Sequence, residues 1–228
     1  MREKLRLAAV VLSMALAMAL TTGCIPPKTM NTLVQVTPSK TILAPGKSFT
    51  VDVRVEPGDG VNVAGAQFDL AFNPLSVRLD NVEEGDLLKQ GGAQTYFLPG
   101  VIDNGAGTLK AVAQVIIGAG QSVNTPGSIA VLHCTALTAG QTSAFALSKV
   151  LVGNMAAEAL PLESPVINQA TVAYSWDLDL NGVVDLADLA MVAVVFGLTG
   201  SPAWRREDVK GDGQIDVLDL IVVGQNIV

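Results

Sequence analysis

The fold is decided by the stretch Ser48-Phe-Thr-Val-Asp-Val-Arg-Val-Glu56, in which apolar and polar side chains alternate. Successive side chains of a β-strand point to opposite faces of the sheet, so this pattern predicts a strand with one buried face. Turns rich in Gly, Pro, Asn and Asp separate further strand-like runs at 67–72, 109–117, 128–137, 144–152 and 166–174. We expect about eight or nine antiparallel strands, which close most economically into a two-sheet sandwich or jelly roll.

The character of the chain changes at Trp176. Residues 177–228 hold nine acidic side chains against three basic ones, and two twelve-residue loops repeat within them at an offset of 31. The first loop is Asp177-Leu-Asp-Leu-Asn-Gly-Val-Val-Asp-Leu-Ala-Asp188, and the second loop is Asp208-Val-Lys-Gly-Asp-Gly-Gln-Ile-Asp-Val-Leu-Asp219. Both carry oxygen-bearing side chains at the first, fifth, ninth and twelfth positions and glycine at the sixth, as EF-hand calcium loops do. The sequence therefore predicts two calcium sites.

Calcium takes about six to eight oxygen ligands, and glycine permits the sharp turn that aims alternate side chains at the ion. The predicted ligands of the first loop are the carbonyl of Val183 and the side chains of Asp177, Asp179, Asn181, Asp185 and Asp188, with Asp185 acting directly or through water. Those of the second loop are the carbonyl of Gln214 and the side chains of Asp208, Asp212, Asp216 and Asp219. Lys210 holds the third position there, and its ammonium group has no lone pair to donate, so we predict weaker binding by the second loop.

An apolar stretch follows each loop, at 186–196 and 217–227, and predicts a helix that leaves the loop. A loop and an exiting helix, twice within residues 175–228 and without full entering helices, resemble a dockerin domain. The resemblance implies a small all-α domain that binds a cohesin, and a domain of this size needs metal to hold together. It also implies recognition positions that are apolar in this chain, namely Leu186, Ala187, Val217 and Leu218.

The β-region resembles the usual partner of a dockerin, the cohesin domain, in five stretches. They are Leu33-Val-Gln-Val-Thr-Pro-Ser39, Leu43-Ala-Pro-Gly-Lys-Ser-Phe-Thr-Val-Asp-Val53, Val63-Ala-Gly-Ala-Gln-Phe-Asp-Leu-Ala-Phe-Asn-Pro-Leu75, Glu84-Gly-Asp-Leu-Leu88 and Gly127-Ser-Ile-Ala-Val-Leu132. The resemblance covers residues 31–174 and implies a jelly-roll sandwich whose flat sheet face binds a dockerin. It places Gly65 and Gln67 among the partner contacts, of which Gln67 alone offers a side chain.

The first residues predict export from the cell. Residues 1–6 carry three positive charges and one negative charge, residues 7–20 are apolar, and Thr21-Thr-Gly-Cys24 follows. The apolar run is shorter than the roughly 20 residues of a membrane-spanning helix. The end of this segment resembles a bacterial lipoprotein signal, which implies a lipid on Cys24 and a place at the cell surface, with ordinary secretion as the alternative. The predicted boundaries are a signal peptide at 1–23, a tether at 24–32, the sandwich at 33–174 and the calcium domain at 175–228.

The chain offers little for catalysis or for nucleic-acid binding. Its net charge is −7, and its 14 basic residues are scattered, so we predict no nucleic-acid partner and contact with a membrane only through a lipid anchor. The single histidine, His133, belongs to no catalytic motif. Cys134 is expected to be a small buried hydrophobe, with a disulfide to Cys24 as the alternative for a secreted protein. We predict that the protein is not an enzyme.

The leading hypothesis is a non-catalytic extracellular adaptor that joins dockerin- and cohesin-bearing proteins with the help of calcium. In these families such contacts normally organise polysaccharide-degrading enzymes. Head-to-tail association of copies is also expected, because Tyr174-Ser-Trp176 is too short a linker for one chain to bind itself. The alternatives are a carbohydrate-binding sandwich, disfavoured by its few aromatic residues, and a C-terminal segment that only caps the sandwich. A hydrolase is the weakest alternative because no motif marks a pair of carboxylates.

Overall fold

The computed structural model describes residues 31–228, which contain thirteen strands, one 3-10 segment and two α-helices. The strands are β1 (Leu33–Pro38), β2 (Ile42–Leu43), β3 (Ser48–Glu56), β4 (Gly65–Ala71), β5 (Val77–Glu84), β6 (Thr95–Leu98), β7 (Val101–Asp103), β8 (Thr108–Ile116), β9 (Gly127–Ala136), β10 (Gln141–Ala144), β11 (Ala146–Gly153), β12 (Val166–Ile167) and β13 (Gln169–Val172). The 3-10 segment is Leu87–Gly92, and the helices are α1 (Leu186–Val194) and α2 (Val217–Gly224).

Two large sheets build the sandwich. One has the strand order β12-β1-β3-β9-β5, and the other has the order β11-β4-β8-β6 with β7 also paired to β8. A smaller sheet contains β10, β13 and β2. Neighbouring strands run antiparallel, except for the β1–β12 and β2–β13 pairs, which are parallel. The mainly β sandwich predicted from the alternating pattern is confirmed.

The core is built from the inward faces of both large sheets. In β3 the predicted alternation is present, since Phe49, Val51, Val53 and Val55 are buried while the residues between them are partly exposed. The facing sheet contributes Phe68 of β4 and many smaller apolar side chains. Each fully buried side chain of this kind contributes about 1.5–3 kcal/mol to the free energy of folding. Burial of these alternating side chains is therefore the main source of the sandwich's stability.

Two of the predicted strands are each divided in the structure, which corrects the prediction. The run 144–152 is divided at Phe145, whose ring is buried, so that β10 and β11 belong to different sheets. The run 166–174 is divided at Asn168, whose side-chain amide donates a 2.9 Å hydrogen bond to the carbonyl of Val36. These divisions, and strands of two or three residues such as β2 and β7, raise the number of strands above the predicted one. Segments so short carry no periodic signal.

The C-terminal residues build a second, smaller apolar cluster. Its buried members are Leu178, Val184, Val192, Ile215 and Val223. Helices α1 and α2 lie where the sequence predicts them, but both end earlier than predicted. After α1 the amide of Gly197 donates to the carbonyl of Ile215 at 2.7 Å, which draws the chain out of the helix. Residues 31–228 form one compact unit, and the domain boundary at 174 and 175 stays a prediction.

Several predictions concern residues that the structure does not describe. The signal peptide, the lipid on Cys24 and most of the tether fall within residues 1–30, outside the described part of the chain. Cys134, the other half of the alternative disulfide, is a free thiol buried in β9. Between residues 31 and 228, neither helix is long and apolar enough to cross a membrane.

Cys134 is expected to resist thiol reagents while the protein is folded. Burial, with a smaller contribution from the charge of Asp80, raises the pKa of this thiol to about 12. Since the thiolate is the reactive form, the folded protein at pH 8 should react at least about a hundredfold more slowly than the protein in denaturant. A chromogenic disulfide reagent measures both rates. Equal rates in the folded and denatured protein would contradict the burial.

Candidate calcium loops and exposed sheet face

The first loop brings three carboxylates together. Oxygen atoms of Asp177, Asp179 and Asp188 lie within 4.8 Å of one another, close enough for one cation to contact all three. Asp177 and Asp188 are buried, and the Oδ1 atom of Asp177 has no hydrogen-bond partner. A buried charged oxygen without a partner costs free energy unless a cation offsets its charge. This donor set therefore fits a hard divalent cation such as calcium.

Burial raises the pKa of Asp177 above the ordinary value of an aspartate. The amide of Gly182 opposes this rise by donating to Oδ2 at 3.0 Å, whereas the nearby charges of Asp188 and Asp179 add to it. A raised pKa means that the charged form is less favourable in the folded protein than in the unfolded chain, so it reduces stability at neutral pH. A bound divalent cation would remove this penalty.

The predicted ligands of the first loop also form the turns of the loop itself. Asp179 accepts hydrogen bonds from the backbone and side-chain amides of Asn181 at 3.1 and 2.9 Å. The Oδ1 atom of Asn181 accepts from the amide of Val183 at 2.7 Å. Asp185 caps α1, and Asp188 accepts from the amide of Asp185 at 2.9 Å, which completes a capping box. The fold of the loop thus holds each predicted side chain in a defined place.

The second loop differs from the first at Lys210. The Nζ atom of Lys210 lies 2.8 Å from Oδ2 of Asp212, and the amide of Lys210 donates to Asp219 at 3.0 Å. The hydrogen bond between the two side chains raises the pKa of Lys210 and lowers the pKa of Asp212. Asp216 caps α2 in the same way that the first loop caps α1. Within the described residues, a cluster of three carboxylates that could hold a metal occurs in the first loop alone.

The first loop contacts the sandwich through two glycines. Gly182, at the sixth position, and Gly140, between β9 and β10, both have positive φ angles, of 88° and 75°. A Cβ atom on Gly182 would lie 2.6 Å from the Cα atom of Gly140, which is closer than real side chains approach. On its other side the loop is held by Arg206, whose Nη2 atom donates to the carbonyl of Asp177 at 2.5 Å. The position of the first loop therefore depends on both the sandwich and the second repeat.

The outward face of the β11-β4-β8-β6 sheet carries apolar side chains in two neighbouring rows. In strand order, one row is Leu151, Gln67, Ala113 and Leu98, and the next is Gly153, Gly65, Val115 and Tyr96. The large side chains among them are exposed, and a groove of about 760 Å³ is lined in part by Gln67, Val115 and Leu151. We call these eight residues the apolar sheet face. Exposed apolar patches of this kind mark surfaces that contact other molecules.

Of the large side chains of this face, only Gln67 is a partner contact predicted from the sequence. The apolar residues around it occupy outward positions, at which an alternating strand would carry polar side chains. The run Ala111-Val-Ala-Gln-Val-Ile-Ile117 breaks the alternation, and this break is the signal that could have revealed an exposed apolar strand. The missed residues are Leu98, Tyr96, Val115 and Leu151.

The predicted recognition residues of the two repeats are exposed at the starts of their helices. Leu186 and Ala187 begin α1, and Val217 and Leu218 begin α2. The side chain of Leu186 is 74% exposed. Val194, at the end of α1, is 84% exposed and is not among the residues predicted from the sequence. Neither helix buries these side chains in the small C-terminal cluster, so they are available for contact with another molecule.

The fold is a β-sandwich with an exposed apolar face on one of its two large sheets. A family model described as the cohesin domain matches residues 34–159, which is more than half of the chain. The chain therefore belongs to the cohesin-domain family. Cohesin domains are non-catalytic scaffold modules, and this agrees with the expectation that the protein is not an enzyme.

Solved structures resemble this fold at low sequence identity. A type II cohesin domain from the cellulosome of Acetivibrio cellulolyticus is 12% identical, with a TM-score of 0.50 over 66% of this chain and 98% of that chain. A non-cellulosomal cohesin from the archaeon Archaeoglobus fulgidus is 12% identical, with a TM-score of 0.47 over 63% and 92%. A type I cohesin–dockerin complex from Clostridium thermocellum is 8% identical, with a TM-score of 0.49 over 63% and 99%. No curated protein matches the chain.

Proposed function

We propose that the protein is a non-catalytic assembly module whose sandwich binds a dockerin-bearing protein. Membership in the cohesin-domain family supports this partner class, and a cohesin and a dockerin are bound together in the similar complex from Clostridium thermocellum. The observation that carries the proposal is the apolar sheet face, whose two rows run across four hydrogen-bonded strands. Strands paired in this way form a rigid surface, so binding of a partner would not require the loss of conformational entropy that comes with ordering flexible loops.

The C-terminal segment is proposed to be a dockerin-like module that calcium stabilises and a cohesin-bearing protein binds. The fit of the first loop to calcium rests on its three clustered carboxylates and on the unpartnered Oδ1 atom of Asp177. The ion would be held by the side chains of the first loop, and it would supply the positive charge that this cluster lacks. The exposed apolar side chains at the start of α1, Leu186 and Ala187, support a partner-binding role.

A role as a cap on the sandwich is the second candidate for this segment. It is favoured by the close contact between Gly140 and Gly182, which fixes the first loop against the sandwich. A cap, however, should bury the apolar side chains of its helices, and Leu186 and Val194 are among the most exposed large apolar residues between 31 and 228. Binding of the segment to a cohesin, with the sandwich face blocked, would distinguish a module from a cap.

The setting of the assembly is proposed from the N-terminal segment and from the family. Export with a lipid on Cys24 would place the module at the outer surface of a cell, and secretion would release it. The type II cohesin that resembles this chain comes from a cellulosome, so organisation of polysaccharide-degrading proteins is the proposed context. Head-to-tail binding between copies would use the apolar sheet face of one molecule and the helices of the next.

Replacing Val115 by aspartate is expected to weaken dockerin binding at least about a hundredfold, or about 2.7 kcal/mol. The substitution places a charge in the centre of the apolar sheet face, where a bound partner would exclude water. Val166→Asp is the matched control, because Val166 is 42% exposed on the other large sheet and Val115 is 44% exposed. Calorimetry with a panel of dockerin domains measures the affinities.

Equal losses in the two variants would contradict the assignment of the binding face. If the unmodified chain binds no dockerin but is retained on insoluble cellulose or chitin, the carbohydrate-binding alternative replaces the proposal. Tyr96 is then the residue to change first, because it is an exposed aromatic side chain of the apolar sheet face.

A further inference from the structure

The second loop contains an ion pair between Lys210 and Asp212, the residues at its third and fifth positions. The ammonium group of Lys210 contacts Oδ2 of Asp212 at 2.8 Å, and Oδ1 of Asp212 accepts from the amide of Gln214 at 3.1 Å. Both oxygens at the fifth position are therefore engaged. At the third position the first loop has the carboxylate of Asp179, which belongs to its cluster of three.

The first position of the second loop is also satisfied by protein groups. Oδ1 of Asp208 accepts from the amides of Gly211 and Asp212 at 2.9 and 3.1 Å. Oδ2 accepts from the amides of Ala203 and Gly213 at 2.8 and 3.0 Å. The equivalent residue of the first loop, Asp177, leaves Oδ1 without a partner. The two loops share one sequence pattern but differ in whether the buried carboxylate still needs a cation.

The backbone of the second loop is held by the segment that follows α1. Amides of Gly197 and Gly200 donate to the carbonyls of Ile215 and Gly213 at 2.7 and 2.8 Å. In return, the amide of Ile215 donates to Leu198 at 2.9 Å. These bonds brace the middle of the loop without any contribution from its ligand side chains.

We infer that the ammonium group of Lys210 takes the place of a metal ion, so that the second loop closes without calcium. A calcium ion there would have to displace the ammonium group from Asp212 and compete with four backbone amides for Asp208. It would also lack a ligand at the third position, and its charge would face that of the displaced ammonium group. The inference rests on the proposed function only in taking the first loop as the calcium site of the chain.

The number of calcium ions bound per chain tests this inference. Lys210→Asp gives the second loop carboxylates at the same first, third, ninth and twelfth positions as the first loop, so this variant should bind one more ion than the unmodified chain. Lys40→Asp, at an exposed lysine of the sandwich, controls for the change in net charge. Calorimetric titration of the full chain up to millimolar calcium gives the counts.

Equal counts in the unmodified chain and the Lys210→Asp variant would overturn the inference. If the unmodified chain binds no calcium ion and the variant binds one, the inference about the second loop is supported. The same result would overturn a different proposal, the calcium site of the first loop. The two proposals therefore fail on different outcomes of the same titration.

Hydrogen exchange in chelator provides a second test that does not depend on calcium. The amides of Gly211, Asp212 and Gly213 donate to Asp208, so they should stay protected in chelator in the unmodified chain. In Lys210→Met they should exchange at least about tenfold faster, because the uncompensated carboxylates repel one another, while Lys40→Met should change nothing. Unchanged exchange in Lys210→Met would overturn the inference.

Discussion

Asp177→Asn is expected to abolish the stabilisation of the protein by calcium. When free calcium is a hundred times its dissociation constant, binding to the folded state alone stabilises by about 2.7 kcal/mol. For a domain of this size, that corresponds to a rise of about 5–10 °C in the melting temperature. Asparagine keeps an oxygen for the amide of Gly182 but removes the charge from the buried cluster, so the ion loses a central ligand.

The same substitution should have the opposite effect in chelator. There the parent protein carries a buried carboxylate whose Oδ1 atom has no partner, and neutral asparagine relieves the repulsion from Asp179 and Asp188. The variant should therefore be at least as stable as the parent without calcium and less stable with it. Asp59→Asn, in an exposed turn of the sandwich, is the control for net charge. Equal calcium stabilisation of Asp177→Asn and its parent, measured by thermal unfolding, would contradict the assignment of the site.

Gly140→Ala is expected to destabilise the protein by at least about 1 kcal/mol more than Gly46→Ala. The two glycines have nearly the same φ, 75° and 76°, so the backbone strain of alanine, about 1 kcal/mol, is common to both. They differ in their surroundings. A Cβ atom on Gly46 meets nothing within 4 Å, whereas one on Gly140 would lie 2.7 Å from the carbonyl oxygen of Asn181. Chemical denaturation of the two variants measures the difference.

Gly140→Ala should also lower the calcium affinity, by about fivefold or more, although residue 140 belongs to the sandwich. The added methyl group pushes on Asn181 and Gly182, which are the fifth and sixth positions of the first loop. Because coupling between two sites is reciprocal, calcium should in turn oppose the opening of this contact. If both alanine variants lose equal stability and bind calcium with the affinity of the parent, then the first loop does not pack against Gly140 of the sandwich in solution.

The sandwich could be predicted from sequence because its signal is local. Strict alternation in 48–56 assigns four side chains to the core, and all four are buried. The division between β10 and β11 could not be predicted, since it depends on Phe145 packing against the ring of Phe49 at 6.4 Å between centroids. A contact between residues so distant in sequence leaves no mark on the periodicity of either segment.

The positions of the first loop could likewise be predicted, because its side chains lie within twelve residues and the pattern fixes their order. The sequence also predicts that Lys210 is a poor ligand. The partner of the Lys210 ammonium group could not be predicted, because the carboxylate of Asp212 could point either toward a metal ion or toward the lysine. The contact between Gly140 and Gly182 was equally hidden, because it joins two parts of the chain that only the folded structure brings together.

The close contact between Gly140 and Gly182 restricts the orientation of the C-terminal segment relative to the sandwich. If copies of the chain link the sheet of one molecule to the helices of the next, each link repeats the same angle. Repetition of one fixed rotation generates a ring or a helical filament of constant curvature, whereas a loose hinge would generate a coil with no preferred shape. The curvature of any such filament would then be set by the turn of the sandwich that contains Gly140, and not by a linker.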